Sequence, residues 1–262
     1  MSQTVDRPST DAGTRVDTWL SEFSEALSAN DADRVAGLFA AESYWRDLVS
    51  FTWNLITVEG PSGAADLVRS DAARGVTPVT FEVTGEPTEG SQEEGEGGVT
   101  EAWLTFETAV GRGTGHLRLD ADGKAWTLLT TLDEIKGHEE PASPNASRPF
   151  GTEHGANPDR VTWAEQREAE AAELGYTRQP EVVIIGGGQG GIALGARLRQ
   201  LGIEAIVIER NERPGDSWRK RYKSLALHDP VWYDHLPYLK FPDNWPIFSP
   251  KDKIADWLEM YA

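Results

Sequence analysis

The residues that could do chemistry are concentrated between Glu181 and Arg210, in EVVIIGGGQGGIALGARLRQLGIEAIVIER. An apolar run, Val182 to Ile185, leads into Gly186-Gly187-Gly188-Gln189-Gly190-Gly191. A helical pattern follows, and a second apolar run closes on Glu209. This is G-x-G-x-x-G set between a strand and a helix, with an acid at the end of the next strand, the pattern of a dinucleotide site. Gly186 allows the tight turn out of the strand, Gly188 offers bare backbone to a pyrophosphate, and Gly191 lets the helix close on the strand. The first helical amides have no acceptor within the helix, and the helix dipole favours an anion in front of them. Glu209 stands 18 residues past Gly191, close to the ~20 expected of an acid that accepts ribose hydroxyls. An acid suits a free diol and repels a 2′-phosphate, so the site reads as one for FAD or NAD(H) and not NADPH.

The elements around this site must come from a chain of 262 residues, which suggests two domains. Net charge is −18 and uneven: residues 1–140 hold 26 acids against 10 Lys/Arg, and the remainder 17 against 15. Such acidity argues against nucleic acid or an anionic membrane as partner. The sequence has no apolar run long enough to span a bilayer and no basic-then-apolar leader, which predicts a cytoplasmic protein acting on a small molecule. Cysteine is absent, which removes disulfide frameworks and thiolate metal sites, and no metal centre is expected.

Residues 1–13 read as a disordered tail. From Thr14, Val16, Trp19, Leu20, Phe23 and Leu27 form one helical stripe, and Asn30-Asp31 can cap a second helix bearing Val35, Leu38 and Phe39. Ser43 to Asp47 is an aromatic and charged cluster with no clear period. Gly60-Pro61-Ser62 opens a further helix. Strands are predicted over 79–83, 102–108, 116–119 and 126–132, with Glu86 to Gly98 a mobile acidic hairpin loop.

Helices followed by an antiparallel meander predict an α+β fold. The helix pair, Tyr44-Trp45-Arg46-Asp47, the Gly60-Pro61 helix start and the late strands resemble the NTF2-like, SnoaL-like cone fold over residues 14–136. That resemblance implies a bent sheet around an apolar pocket, used in different members for catalysis, binding or homodimerisation. Asp47 and His116 are the candidates for an acid/base pair in such a pocket. Spacing alone does not bring the two together, and the favoured alternative is a partly exposed Asp and a strand His with ordinary hydrogen bonds. Trp45, Trp53, Trp103 and Trp126 read as core or pocket wall. Residues 137–160, rich in proline, read as a linker, and 161–174 as a helix leading into the second domain, 161–262.

Beyond Glu209 the residues Gly215-Asp216-Ser217-Trp218, Arg221-Tyr222, Leu225-Ala226-Leu227-His228, Phe241-Pro242, Trp245-Pro246 and Trp257 to Ala262 stand in a specific order. They resemble the flavin-containing monooxygenases, with their YUCCA-like and Baeyer–Villiger relatives. The resemblance implies FAD held by Gly186, Gly187, Gly188, Gln189, Gly190 and Gly191, with Glu209 and Arg210 at the ribose. It brings Ser217, Trp218, Leu227 and His228 to the flavin. His228, the one catalytic candidate, is either a flavin-edge residue or a turn residue. Asp216 departs from the family's G-G-x-W. Arg219, Lys220, Arg221 and Lys223 form a basic cluster that serves either a phosphate or solvent.

The second domain is expected to be an incomplete α/β Rossmann-type FAD-binding domain, because only one further strand follows the glycine turn and no second glycine fingerprint is present. The chain thus reads as the N-terminal part of a longer flavoprotein, with an NADPH site in the missing C-terminal part. The resemblance implies an NADPH-consuming monooxygenase, in which a C4a-(hydro)peroxyflavin oxygenates N, S or a ketone. The competing readings are a non-catalytic ligand-binding or dimerisation module and an NAD(P)H-dependent reductase. The disulfide-reductase branch is disfavoured by the absence of cysteine.

Overall fold

The computed structural model describes residues 11–90, 98–141, 143–146 and 154–262. It divides into two compact units, Met1–Glu139 and Glu140–Ala262. In the first, α1 (Asp11–Ser28) and α2 (Ala32–Gly37) precede β1 (Phe39–Leu48) and β2 (Leu55–Glu59). Two short helices, α3 (Gly60–Arg69) and α4 (Asp71–Gly75), lead to β3 (Thr80–Gly90), β4 (Val99–Glu107), β5 (Gly111–Leu119) and β6 (Ala125–Ile135). The six strands form one sheet in the order β2-β1-β6-β5-β4-β3. All its neighbours are antiparallel except β1 and β6, which run parallel. This is the α+β arrangement expected.

The local chemistry follows the sequence in most places. Asp31 caps α2 by accepting from the Arg34 amide, and Pro61 sits in the first turn of α3. Two expectations are corrected, and one stretch left open is settled. Residues 11–13 are helical and not part of a tail, because Ala12 is buried and carries the stripe of α1 back by one turn; residues 1–10 lie outside the described residues. The aromatic and charged cluster at Tyr44 is the middle of β1, where Ser43, Trp45 and Asp47 point inward and Tyr44 and Arg46 outward. Residues 86–90 belong to β3, pairing Thr88 with Glu101 and Gly90 with Val99; 91–97 of the expected hairpin loop lie outside the described residues.

The interior between helices and sheet is filled with rings. Trp19 stacks on Phe23 at 4.6 Å, Phe23 meets Trp45 at 5.4 Å, and Trp45 meets Phe51 at 5.3 Å. Phe81 and Phe106 close the cluster at 5.6 Å. The buried indole N–H groups are satisfied, Trp19 by the Leu38 carbonyl and Trp45 by Thr130 Oγ1. Of the four tryptophans read as core or wall, only Trp45 is core. Trp103 alternates with buried Ala102 and Leu104 and so faces outward, 61% exposed, and Trp53 is exposed as well.

In the second unit α5 (Trp163–Glu173) starts at a Thr162/Glu165 capping box. Then come β7 (Val182–Ile185), α6 (Gln189–Gln200), β8 (Ala205–Ile208), α7 (Asp216–Arg219) and α8 (Lys251–Tyr261). β7 and β8 pair in parallel, Val182 opposite Ala205 through Ile185 opposite Ile208. Parallel sheets are ordinarily covered on both faces, yet Ile185 is 89% and Ile208 54% exposed. Glu140, read as linker, is engaged in this unit: it accepts from Arg197 at 3.1 Å and from the Tyr238 hydroxyl at 2.5 Å. Burial and the bond to Glu140 raise the Tyr238 phenol to about 12.

Candidate functional site

The glycine turn is built as the motif requires. Gly186 leaves β7 with φ +105°, a conformation that costs a side chain dearly, while its amide still reaches the Ile208 carbonyl at 2.8 Å. Gly191 is where α6 closes on β7: a Cβ there would lie 1.9 Å from the Gly186 carbonyl oxygen. Gly188 is different. It caps α6 with φ −73° and ψ −176°, backbone that any residue adopts, and a Cβ on it, or on Gly190, would meet no protein atom within 4 Å. The turn is thus tight toward the strand and open outward. Gly188 brings no side chain to cap the amides of the first turn.

Glu209 is tied directly to this turn. Its Oε2 accepts from the Gly187 amide at 2.6 Å, and its Oε1 from the Asn211 amide at 2.8 Å and from Asn211 Nδ2 at 2.7 Å. These donors, the backbone amides of Asn211 and Gly187 foremost, hold the Glu209 carboxyl below the ordinary carboxylate range. An open cleft of about 500 Å³ borders Gly187, Ile192, Glu209, Asn211 and Tyr261. A larger one, about 760 Å³, lies between α5 and β8 and away from the glycine turn.

The third element is α7. Gly215, at φ +84°, starts it so close to α8 that a Cβ would stand 2.2 Å from the Ala255 carbonyl oxygen. Trp218, partly buried, donates its Nε1 to Gln189 Oε1 at 3.1 Å, joining α7 to the first residue of α6. Behind it lie Phe241, Trp245 and Trp257, with Phe241 stacked on Trp245 at 5.0 Å and Trp257 edge-on to Trp245 at 5.2 Å. The core that they help build also holds Ile192, Ile254 and Leu258.

Comparison with known proteins agrees with this geometry. Residues 184–240 match the family described as NAD(P)-binding Rossmann-like domain. The indole-3-pyruvate monooxygenase YUCCA1 of Oryza sativa is 40% identical over 93 residues, covering 35% of this chain and 23% of its own length. A CzcO-like oxidoreductase of Geobacillus kaustophilus is 40% identical over 82 residues, 31% of this chain and 24% of its own length. The homologues of this chain include YUCCA-like flavin monooxygenases and CzcO-like oxidoreductases. The chain spans about a quarter of the length of these relatives. Among solved structures, an NTF2-like protein with a cystatin-like fold from Novosphingobium aromaticivorans is 12% identical with a TM-score of 0.34, over 45% of this chain and 80% of that one.

The residues that the resemblance to the flavin monooxygenases would bring to a cofactor do not all converge. Gly186 to Gly191, Glu209 and Trp218 surround one turn. Arg210 and Ser217 are exposed at its rim. Leu227 is packed against the aromatic core and its amide reaches the Ser249 carbonyl at 2.9 Å. His228 follows it, exposed, and its side chain makes no hydrogen bond or ion pair with another described residue. The basic cluster is divided. Arg219 is committed to Asp216 at 3.2 Å and Asp256 at 2.9 Å, and Lys220 to Asn211, whereas Arg221 and Lys223 are exposed.

Asp47 and His116 are not brought together. Asp47 pairs with Thr130 on β6, while His116 pairs with Leu129, one residue along, so the alternation of strands sends the two side chains to opposite faces. Asp47 is fully buried, not partly exposed as expected. It accepts from the amides of Ser50, Phe51 and Thr52 and from the hydroxyls of Thr52 and Thr130. His116 lies against Trp103, ring centres 4.5 Å apart, and burial with the nearby Arg118 lowers its pKa despite Glu101. Sequence reasoning missed Asn211; its only signal was an amide side chain two residues after the expected ribose acid.

Proposed function

We propose that the C-terminal unit is the FAD-binding part of a flavin-dependent monooxygenase that consumes NADPH and oxygenates a small organic substrate at nitrogen, sulfur or a ketone. The observation that carries this reading is the glycine turn: closed toward β7, open at Gly188 and Gly190, and joined through Gly187 to an acid held ionised at the end of β8. These residues fit an adenine dinucleotide. The amides opening α6 would hold its diphosphate, Glu209 and Arg210 its ribose. Gln189, Ser217, Trp218, Leu227 and His228 would stand toward the flavin. Bound flavin supplies the redox and oxygen chemistry. The chain's own part is to bind, to orient, and to keep water from one side, for which Trp218 backed by Phe241, Trp245 and Trp257 is suited.

For the first unit the ring-filled interior favours an association module over a catalytic one. Exposed Tyr44 and Trp103 on the outer face of the sheet make that face the proposed homodimer contact. The deciding experiment is purification of the full chain, extraction of its bound nucleotide and titration of the stripped protein with FAD. Flavin absorption that returns on titration supports the proposal. A colourless protein that retains NAD(H) and refuses FAD overturns it and favours the reductase.

A further inference from the structure

We propose that Asn211 and Lys220 form a positioning relay for Glu209, anchored at Asp216, which keeps the acid free to meet a nucleotide sugar. This rests on the reading of Glu209 as the ribose acid. The chain of contacts is continuous: Lys220 Nζ donates to Asn211 Oδ1 at 2.8 Å, Asn211 Nδ2 donates to Glu209 Oε1 at 2.7 Å, and Glu209 Oε2 takes the Gly187 amide at 2.6 Å. Lys220 in turn stands 3.5 Å from Asp216 Oδ2. The charged groups facing Asn211 are therefore Glu209 from the end of β8 and Lys220 from the end of α7, with Asp216 behind the lysine.

The direction of the amide is fixed by chemistry. Lysine can only donate and a carboxylate can only accept, so the residue between them must do one of each. Asparagine does; aspartate, leucine and alanine do not. Without it the ammonium and the carboxylate could pair directly. A carboxylate has about four acceptor positions, and Glu209 gives three to Gly187 and Asn211. An ammonium on the last would leave none for a hydroxyl. The relay holds Lys220 one amide away and leaves that position open. Asp216 is the lysine's other partner and holds it from the far side.

The test is titration of the full chain with FAD and with ADP by calorimetry. Asn211→Ala is expected to weaken both about tenfold or more, the worth of a hydrogen bond to a charged group. Adding Lys220→Met to it should recover part of that loss, a non-additivity that general destabilisation does not produce. Asn211→Asp, whose carboxylate can take Lys220 but cannot donate to Glu209, should bind both nucleotides poorly, while Asn211→Gln, which keeps a donor and an acceptor, should lose less. If Asn211→Ala fails to fold, the aspartate and glutamine variants still decide. Wild-type affinity in Asn211→Ala or in Asn211→Asp overturns the relay alone. A wild-type chain that binds neither nucleotide overturns the dinucleotide reading, and the relay with it.

Discussion

Gly188 and Gly191 lie three residues apart in one motif and should fail in opposite ways. At Gly191 an added Cβ sits 1.9 Å from the Gly186 carbonyl oxygen and 3.0 Å from its carbon, both backbone atoms that cannot step aside. Overpacking of this kind costs about 1–3 kcal/mol, and backbone as the neighbour puts Gly191→Ala at the upper end. At Gly188 the conformation is ordinary and the space around the Cβ is empty. Gly188→Val should therefore leave stability unchanged or raise it by up to about 1 kcal/mol, since a glycine is lost from the unfolded chain. Its effect falls on the ligand. Holding a diphosphate off two helical amides, each worth roughly 1.5–3 kcal/mol to a charged group, predicts about a hundredfold loss of affinity or more. Calorimetry with FAD and ADP, alongside thermal unfolding with and without FAD, separates the two variants. Wild type should melt higher with FAD; Gly188→Val should melt as before and show no ligand shift. Wild-type FAD affinity in Gly188→Val would refute the reasoning.

Asp47→Ala is expected to destabilise the first unit by about 3 kcal/mol or more, because the buried amides of Ser50 and Phe51 and the part-buried amide of Thr52 lose their acceptor; chemical denaturation measures it, and a cost under about 1 kcal/mol would show the turn to be solvated. Glu209 has a lowered pKa, so its contribution is present above the ordinary glutamate value of about 4.3 and is lost as pH falls through the lower folded value. The Gly187 amide resonance should move in that acid window and stay still above it. His116 has the reverse charge logic: burial keeps it neutral, so stability falls as pH drops through about 6.5 toward its lower folded value. Trp103→Ala, by uncovering the ring, should raise the His116 pKa in an NMR titration; an unchanged value would mean that the indole does not shield it.

The sequence made the glycine turn legible because glycines there answer to local constraints, a positive φ at Gly186 and a close approach at Gly191, and local constraints leave local signatures. The helical stripe of α1 was readable for the same reason. What stayed hidden depends on partners distant in the chain. Tyr44 to Asp47 gave no period alone, yet became a strand once β6, some 80 residues on, lay beside it. Trp103 and Trp45 look alike in sequence and differ only in which side of the pleat they occupy. Lys220 looked like a member of a basic patch; the reason that it is not lies in Asn211 and Asp216, neither of which is notable by itself.

Asp47 and Glu209 are both gripped by backbone amides, and the difference between them shows what a site needs beyond a saturated acid. Asp47 takes its donors from a turn and from Thr130, all inside the protein, and no part of it is exposed. Its acceptor positions are used to close the Ser50–Thr52 turn onto the sheet, so the group cannot reach a substrate. Glu209 has fewer protein donors, borders an open cleft, and holds the very turn whose outward side is bare. The same hydrogen-bond chemistry therefore locks a fold in one unit and presents a charge in the other. Removing the first acid should act on stability alone, and removing the second on nucleotide affinity well before stability.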